Sequence, residues 1–314
     1  MDESEGVALL EKRLGRVHAR MRLGIERDHR AQAFGQGLTF FHPENVPVAR
    51  TAISVCLKLT GLYRRGLRNA LDVRLKRNDI RSAHLPKCFD GYTILHLSDL
   101  HADMSEAITR RVATLIGECR YDICVLTGDY RAQTYGSSRA ALAAMAHIRR
   151  AITSPAYGVL GNHDSIRMLP ELEGMGIRML LNESISIESG DAQIHLAGLD
   201  DAHYFQADNI EKAASAIPED GYSILLSHTP EIYRHAAYAG FHLLLAGHTH
   251  GGQICLPGGI PITLDSDLPR RLGAGAWRYG KMAGYTSVGA GCSIIPVRFN
   301  CPPEITLHRL VAVQ

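Results

Sequence analysis

At 314 residues, 46% hydrophobic and 21% charged, the chain has the make-up of an ordinary cored protein with one large α/β domain, or one domain and an appendage. The net charge of +2 selects no partner by itself, but residues 1–90 hold 17 Lys+Arg against 10 Asp+Glu, and the remainder is net acidic by five. Seven cysteines without a C-x-x-C pair weigh against a disulfide framework, the lack of a run of about 18 apolar residues against a membrane-spanning helix, and the acidic Met1–Glu5 against a signal peptide. A reducing, cytoplasmic setting follows as the expectation.

Taken in chain order, Leu10, Leu14, Val17, Met21 and Ile25 recur at spacings of three and four and predict one amphipathic helix. His42-Pro43 and Pro47 break that pattern. A second helical stretch is expected from Val48 to Arg77, with Gly61 and Gly66 as interruptions, apolar from Ile53 to Leu62 and basic from Arg64 onward. No strand is expected before residue 88, so the chain divides into a basic helical N-terminal extension, 1–88, and a main domain, 89–314. Beyond Pro86 the pattern changes to short apolar runs ending in polar clusters. Tyr92–Leu97, Ile123–Thr127 and Ala156–Leu160 predict buried strands, with helices at Glu106–Glu118 and Arg139–Arg150 between them. Residues 177–199 and 281–310 read as strand-rich. Ser223–Ser227 and Leu243–Ala246 predict a later strand pair around a helix at Glu231–Tyr238. Gly273, Gly275 and Gly280 around Trp277 suggest a mobile loop. The fold class is therefore α/β: two packed sheets flanked by helices, behind a helical N-terminal extension.

The chemistry sits where the apolar runs stop. Five of them end in Asp, His or Asn: Asp99 and His101; Asp129; Asn162, His163 and Asp164; His228; and His248 and His250. In α/β sheets such strand ends meet on one rim, and Gly128, Gly161 and Gly247 beside them allow sharp turns and close approach. Carboxylates, imidazoles and one amide oxygen suit Mn, Fe, Zn or Co better than Ca or Mg. Seven donors (Asp99, His101, Asp129, Asn162, His228, His248 and His250) exceed the needs of one ion and match a pair sharing a carboxylate. Singly, Asp-x-His is more often a cap and Gly-Asp more often a turn. Gly247-His248-Thr249-His250-Gly251-Gly252 has little structural reason to exist, and five blocks in order leave little room for a structural explanation.

These blocks resemble the calcineurin-like metallophosphoesterase superfamily, whose pattern runs D-x-H, G-D, G-N-H-D/E, H and G-H-x-H. The match extends from about Thr93 to His308. The extended Gly247–Ile254 block and the tail Pro296–Ile305 are similar to the bacterial YkuE/YaeI-like phosphodiesterase branch. The resemblance implies that 89–314 is a metallophosphoesterase catalytic domain holding two divalent ions, with Mn the expected activator. Asp99, His101, Asp129 and His250 would hold one ion, and Asp129, Asn162, His228 and His248 the other. By the same resemblance His163 faces the phosphate and Asp164 orients it. Arg131 and Arg167 would reach a phosphate oxygen or sit in solvent. Asp200, Asp201 and His203 would line the site or support a turn. His195, His235 and His242 read as structural.

The implied activity is hydrolysis of phosphodiesters or pyrophosphates, including lipid- or nucleotide-linked substrates such as UDP-2,3-diacylglucosamine. The alternatives are a phosphomonoesterase and a non-catalytic metal-binding scaffold on the same fold. Many branch members begin with a membrane helix or export signal, whereas this chain begins with basic helices. Residues 50–77 could rest on an anionic membrane, which would place the protein peripherally on the inner membrane face, or cap the catalytic domain with their arginines in water. Nucleic acid is an unfavoured partner, because the arginines lack interleaved aromatic residues.

Overall fold

The computed structural model describes residues 3–28 and 47–313. The break expected at His42-Pro43 and the first two residues of Met1–Glu5 lie outside the described residues. The N-terminal helix expected as one is two, α1 (Glu3–Leu14) and α2 (Arg16–Asp28). Gly15 separates them at φ +87°, a left-handed conformation that glycine adopts without steric cost. Two more helices follow, α3 (Pro47–Leu59) and α4 (Tyr63–Leu71). Helix does not continue to Arg77. Residues 74–82, N-terminal to the expected division at 88, form strand β1 (Arg74–Ser82). Only Ile80 in β1 is buried, so the period-two apolar signal of a strand is missing, yet the whole segment pairs with a strand more than 200 residues away.

The next segments follow the expected alternation: β2 (Thr93–Leu97), α5 (Glu106–Gly117), β3 (Ile123–Leu126), α6 (Arg139–Ala151), β4 (Ala156–Gly158), α7 (Leu169–Gly174) and β5 (Ile177–Met179). The second half contributes β6 (Glu183–Ser189), β7 (Ala192–Gly198), α8 (Ile210–Ala214), β8 (Ser223–Leu226), α9 (Tyr233–Tyr238) and β9 (Leu243–Ala246). A short ribbon, β10 (Cys255–Leu256) with β11 (Ile260–Pro261), precedes β12 (Gly275–Tyr279), β13 (Met282–Thr286) and β14 (Glu304–Ala312). The suspected mobile loop around Trp277 is thus a hairpin. β12 and β13 pair antiparallel across Gly280-Lys281, and Trp277 Nε1 donates to Thr286 Oγ1 at 2.9 Å. Gly280, at φ +57°, makes the tight turn rather than a flexible segment.

Two six-stranded sheets result, ordered β1-β14-β2-β3-β4-β5 and β12-β13-β9-β8-β7-β6. Along β3 the residues alternate between two cores. Ile123 and Val125 join Ile94, Val159, Leu196, Ile224 and Leu245 between the sheets, while Cys124 and Leu126 pack outward with Val112, Met145 and Leu172 of the covering helices. Burial on both faces explains why these strands read as continuous apolar runs. A third cluster places Ala213, Tyr233 and Ala236 of α8 and α9 over the second sheet. The chain is therefore a two-layer α/β sandwich with helices outside, as its patterning predicts.

Candidate metal centre

The strand ends meet as expected. β2, β3 and β4 are mutually parallel, as are β8 and β9, so the residues following them emerge on one rim. Asp99, His101, Asp129, Asn162, His228, His248 and His250 are all buried, with none more than 7% exposed. Ten non-glycine residues among those described have positive φ, and five are Asp99, His101, Asp129, His248 and His250. Left-handed backbone costs about 1–3 kcal/mol per such residue, so strain is concentrated where the donors converge. Gly247 beside them is obligatory, because a Cβ there would collide with Ser98 Oγ and Asp99 Oδ2.

The donor atoms fall into two sets that share one oxygen. In the first, His101 Nε2 lies 3.1 Å from His250 Nε2, which lies 3.4 Å from Asp99 Oδ1. In the second, His228 Nε2 lies 2.8 Å from Asn162 Oδ1, and His248 Nδ1 lies 3.1 Å from that same oxygen. Asp129 Oδ2 stands between them, 3.6 Å from His101 Nε2 and 3.4 Å from His228 Nε2. The far nitrogens are anchored. His101 Nδ1 donates to the Arg131 carbonyl and His228 Nδ1 to the Thr127 carbonyl, each at 2.8 Å. A carbonyl only accepts, so each Nδ1 carries a proton, and each Nε2 faces inward as the atom that can bind a metal once it is unprotonated. Nitrogen and oxygen donors packed this closely fit divalent cations.

The charges agree. Burial pushes the Asp129 carboxyl up, but His228, His163 and His101 hold it well below the usual carboxylate range. Burial disfavours charge on His228, yet Asp129 and Asp99 lift it to about 10. Burial, then His203 and His228, keep His248 well below the usual range, and burial with His101 and Arg298 does the same to His250. A bound cation would take over the positive charge that protonated His228 otherwise supplies.

His163 is placed at the rim of this centre, with Nε2 3.8 Å from Asp129 Oδ2 and Nδ1 3.0 Å from the Ala132 carbonyl. Asp164 has a different post from the one the resemblance implies. Its carboxylate accepts the backbone N–H groups of Asp129 (2.7 Å), Tyr130 (2.9 Å) and Gly161 (2.9 Å), tying the β3 and β4 loops together. Burial and Asp129 raise Asp164 to about 7 even though the Gly161 N–H opposes the shift. Arg131 is not in solvent. It is 4% exposed, and its guanidinium donates to the carbonyls of His163, Gly136 and Thr134. Arg167 is exposed.

Asp200, Asp201 and His203 divide their work. Asp201 accepts the N–H groups of Tyr204 and Phe205 at 2.7 and 2.6 Å, stapling a turn. Asp200 anchors α2 through Arg22 (3.3 Å) and His18 (2.8 Å). His203 lies against His248 in a tilted ring contact, centroids 4.0 Å apart and planes at 47°, and its Nδ1 meets Glu231 Oε2 at 2.7 Å. His195 and His242 support strands through Ser186 and Ser223, and His235 is exposed on α9.

Burial works to lower His203, but Glu231 lifts it from an ordinary 6.5 to about 9. Because the folded value exceeds the unfolded one, the charged ring stabilises the fold fully below pH 6.5, and that contribution is lost as pH rises through about 9. In chelator-treated protein the urea midpoint is therefore expected to fall more steeply over this window than in His203→Gln. Equal slopes for the two proteins would contradict the charged pair.

Two supporting groups carry no motif. Asp99 Oδ2 accepts from Ser98 Oγ (2.6 Å), which is linked through Thr127 Oγ1 (2.7 Å) and His96 (2.8 Å) to His308 (3.3 Å) and Asn78 (3.1 Å). Arg298, fully buried, donates to His250 Nδ1 at 3.2 Å and to the Gly291 carbonyl at 2.6 Å. The only sequence signal for either was a polar residue inside an apolar or family-like run.

Residues 92–252 match the calcineurin-like phosphoesterase family. The chain is 29% identical to the metallophosphoesterase YkoQ of Bacillus subtilis over 256 residues, 77% of this chain and 92% of that protein. It is 30% identical to the metallophosphoesterase YkuE of the same organism, covering 76% and 85% of the two chains. It is 28% identical to the phosphodiesterase YaeI of Escherichia coli, covering 70% and 82%. Five strand-end motifs converging on one strained, buried donor cluster, together with a family match spanning about half of the chain, place this chain in the calcineurin-like phosphoesterase family as a metal-dependent phosphoester hydrolase.

Proposed function

We propose that this protein is a dinuclear-metal phosphodiesterase or pyrophosphatase. The supporting observation is Asp129 Oδ2, which stands 3.6 Å from one donor set and 3.4 Å from the other. Asp99, His101, Asp129 and His250 hold one divalent ion, and Asp129, Asn162, His228 and His248 the other. Manganese is the expected activator, with Fe, Zn and Co also suited to this donor mix. Bound there, the ions supply Lewis acidity toward the phosphoryl oxygens and activation of water. His163, with Nε2 turned to the centre, stabilises charge on the phosphoryl group or hands a proton to the leaving oxygen. Asp164 acts at one remove, fixing the backbone that carries Asp129.

The preference for diesters or pyrophosphates rests on similarity to relatives, among them the phosphodiesterase YaeI. A lipid-linked nucleotide, of which UDP-2,3-diacylglucosamine is the specific candidate, suits an enzyme seated at a membrane. The surface of α3 and α4 supports that seat. Residues 47–71 contain no Asp or Glu and five basic residues, Arg50, Lys58, Arg64, Arg65 and Arg68. Val48, Val55, Leu59 and Leu62 are exposed, Leu59 to 83%, and no described residue of α3 is buried. Apolar and basic side chains together on exposed helices favour an anionic bilayer surface. No helix among the described residues is long and apolar enough to cross a membrane.

Manganese-loaded protein is expected to release UMP from UDP-2,3-diacylglucosamine; activity on bis-p-nitrophenyl phosphate with no UMP release would remove that substrate. The protein is also expected to float with anionic liposomes at physiological salt, and less so when Arg64, Arg65 and Arg68 are changed to Glu. Recovery entirely in the unbound fraction would exclude the membrane seat.

A further inference from the structure

Asp99 meets the centre with one oxygen and the protein with the other. Oδ1 lies 3.4 Å from His250 Nε2, in the donor set that His101 completes. Oδ2 accepts the Ser98 hydroxyl at 2.6 Å. The His248 N–H reaches both oxygens at 3.1 Å and so does not choose between them. The Ser98 bond does.

Behind Ser98 a row of donors runs across the first sheet, and counting hydrogens fixes its direction. A hydroxyl has one proton to give. That of Ser98 goes to Asp99, so Ser98 Oγ accepts from Thr127 Oγ1 at 2.7 Å. Thr127 has then spent its proton, and its oxygen accepts from His96 Nε2 at 2.8 Å. Burial pushes His96 from an ordinary 6.5 down to about 3, so the ring is neutral and its Nδ1 is bare. That nitrogen accepts from His308 Nε2 at 3.3 Å. Burial, then His96, keeps His308 neutral too, leaving its Nδ1 to accept the Asn78 amide at 3.1 Å. Each bond thus points toward Asp99, from Asn78 on β1 through His308 on β14 and His96 on β2 to Thr127 beyond β3. All but Asn78 are buried. In so dry a setting the bonds polarise one another, and solvent does not replace a donor that is removed.

We propose that His96 is a positioning residue for metal binding: through Thr127 and Ser98 it holds Asp99 Oδ2 on the protein side, so that Oδ1 alone faces the ion held with His101 and His250. The effect is confined to one of the two ions, because the row ends on Asp99 and touches no side chain of the Asn162, His228 and His248 set. The proposal rests on the two-metal part of the hydrolase reading and on no choice of substrate.

The test is calorimetric titration of chelator-stripped, full-length protein with Mn²⁺, as wild type, His96→Leu, Thr127→Val and His96→Gln. Wild type is expected to bind two ions. His96→Leu removes the donor, and Thr127→Val interrupts the row independently should His96→Leu fail to fold. In each, one of the two affinities is expected to fall about tenfold, the lower end of what a hydrogen-bond partner of a metal ligand contributes. His96→Gln places an amide N–H where Nε2 stood and is expected to restore most of the loss. Combined with Asn162→Ala, which spares the Asp99 set, His96→Leu is expected to cost its tenfold in full; combined with Asp99→Ala, it is expected to cost nothing further. A histidine that merely supports the fold would weaken both sites or neither. Unchanged affinities, equal losses at both sites, a further loss on top of Asp99→Ala, or a His96→Gln as weak as His96→Leu each overturn the assignment. Wild type that binds both ions but hydrolyses no phosphoester would end the hydrolase reading and leave the positioning role standing, whereas wild type that binds none would end both.

Discussion

Replacing His163 with alanine is expected to lower phosphodiester turnover by about 10²- to 10⁴-fold, the usual contribution of a positioned acid or base, with both metals retained. The two donor sets are complete without this imidazole. Each already counts three atoms, from Asp99, His101 and His250 in one and Asn162, His228 and His248 in the other, beside the shared Asp129 oxygen. His163 instead stands on the rim, 3.8 Å from that oxygen, with its other nitrogen on the Ala132 carbonyl. Metal content by elemental analysis, beside steady-state rates on bis-p-nitrophenyl phosphate, separates the two possibilities. A variant that lost a metal along with its activity would make His163 a ligand. One that kept most of its activity would leave the proposed acid without a role.

Much of the centre was legible because its residues lie in short, ordered blocks at the ends of apolar runs. Asp99-Leu100-His101 and His248-Thr249-His250 each place two donors within three residues, so local spacing carried the information. What supports those donors was not legible. The chain from Asp99 through Ser98, Thr127 and His96 to His308 joins residues up to 212 positions apart, and His96 in isolation reads as one polar residue in a strand. Arg22 likewise reads as a surface residue on a helix, although it is fully buried against Asp200. Burying such a pair is tolerable only because each charge meets the other and further donors satisfy the rest.

The fold shows the same division. β2, β3, β8 and β9 are buried on both faces and announce themselves by composition. β1 exposes most of its side chains and is a strand because β14 offers it an edge, from Arg74↔Glu304 to Ser82↔Ala312. Tertiary pairing there overrides a local pattern that suggested helix. In the β12–β13 hairpin the glycines were noticed but given the wrong meaning, since Gly280 sets a two-residue turn instead of loosening a loop. Gly15 is the converse case, a single glycine that ends one helix and lets α2 turn back toward Asp200.

The second large effect, and the direct test of the central claim, is Asp129→Ala. Its carboxylate is 2% exposed and is the oxygen nearest to both donor sets, so its loss is expected to weaken both metal sites together. Metal ions supply several kcal/mol of transition-state stabilisation in such hydrolases, and about 4 kcal/mol corresponds to roughly a thousandfold in rate. The measurement is hydrolysis of bis-p-nitrophenyl phosphate and p-nitrophenyl phosphate by manganese-reconstituted wild type and Asp129→Ala, with bound metal counted in both. The expected result is two metals and diester turnover in the wild type, and loss of both metal and at least about a thousandfold of rate in the variant. Wild-type protein that carries two metals but turns over neither compound, or a variant that hydrolyses the diester as fast as wild type, would contradict the two-metal phosphodiesterase.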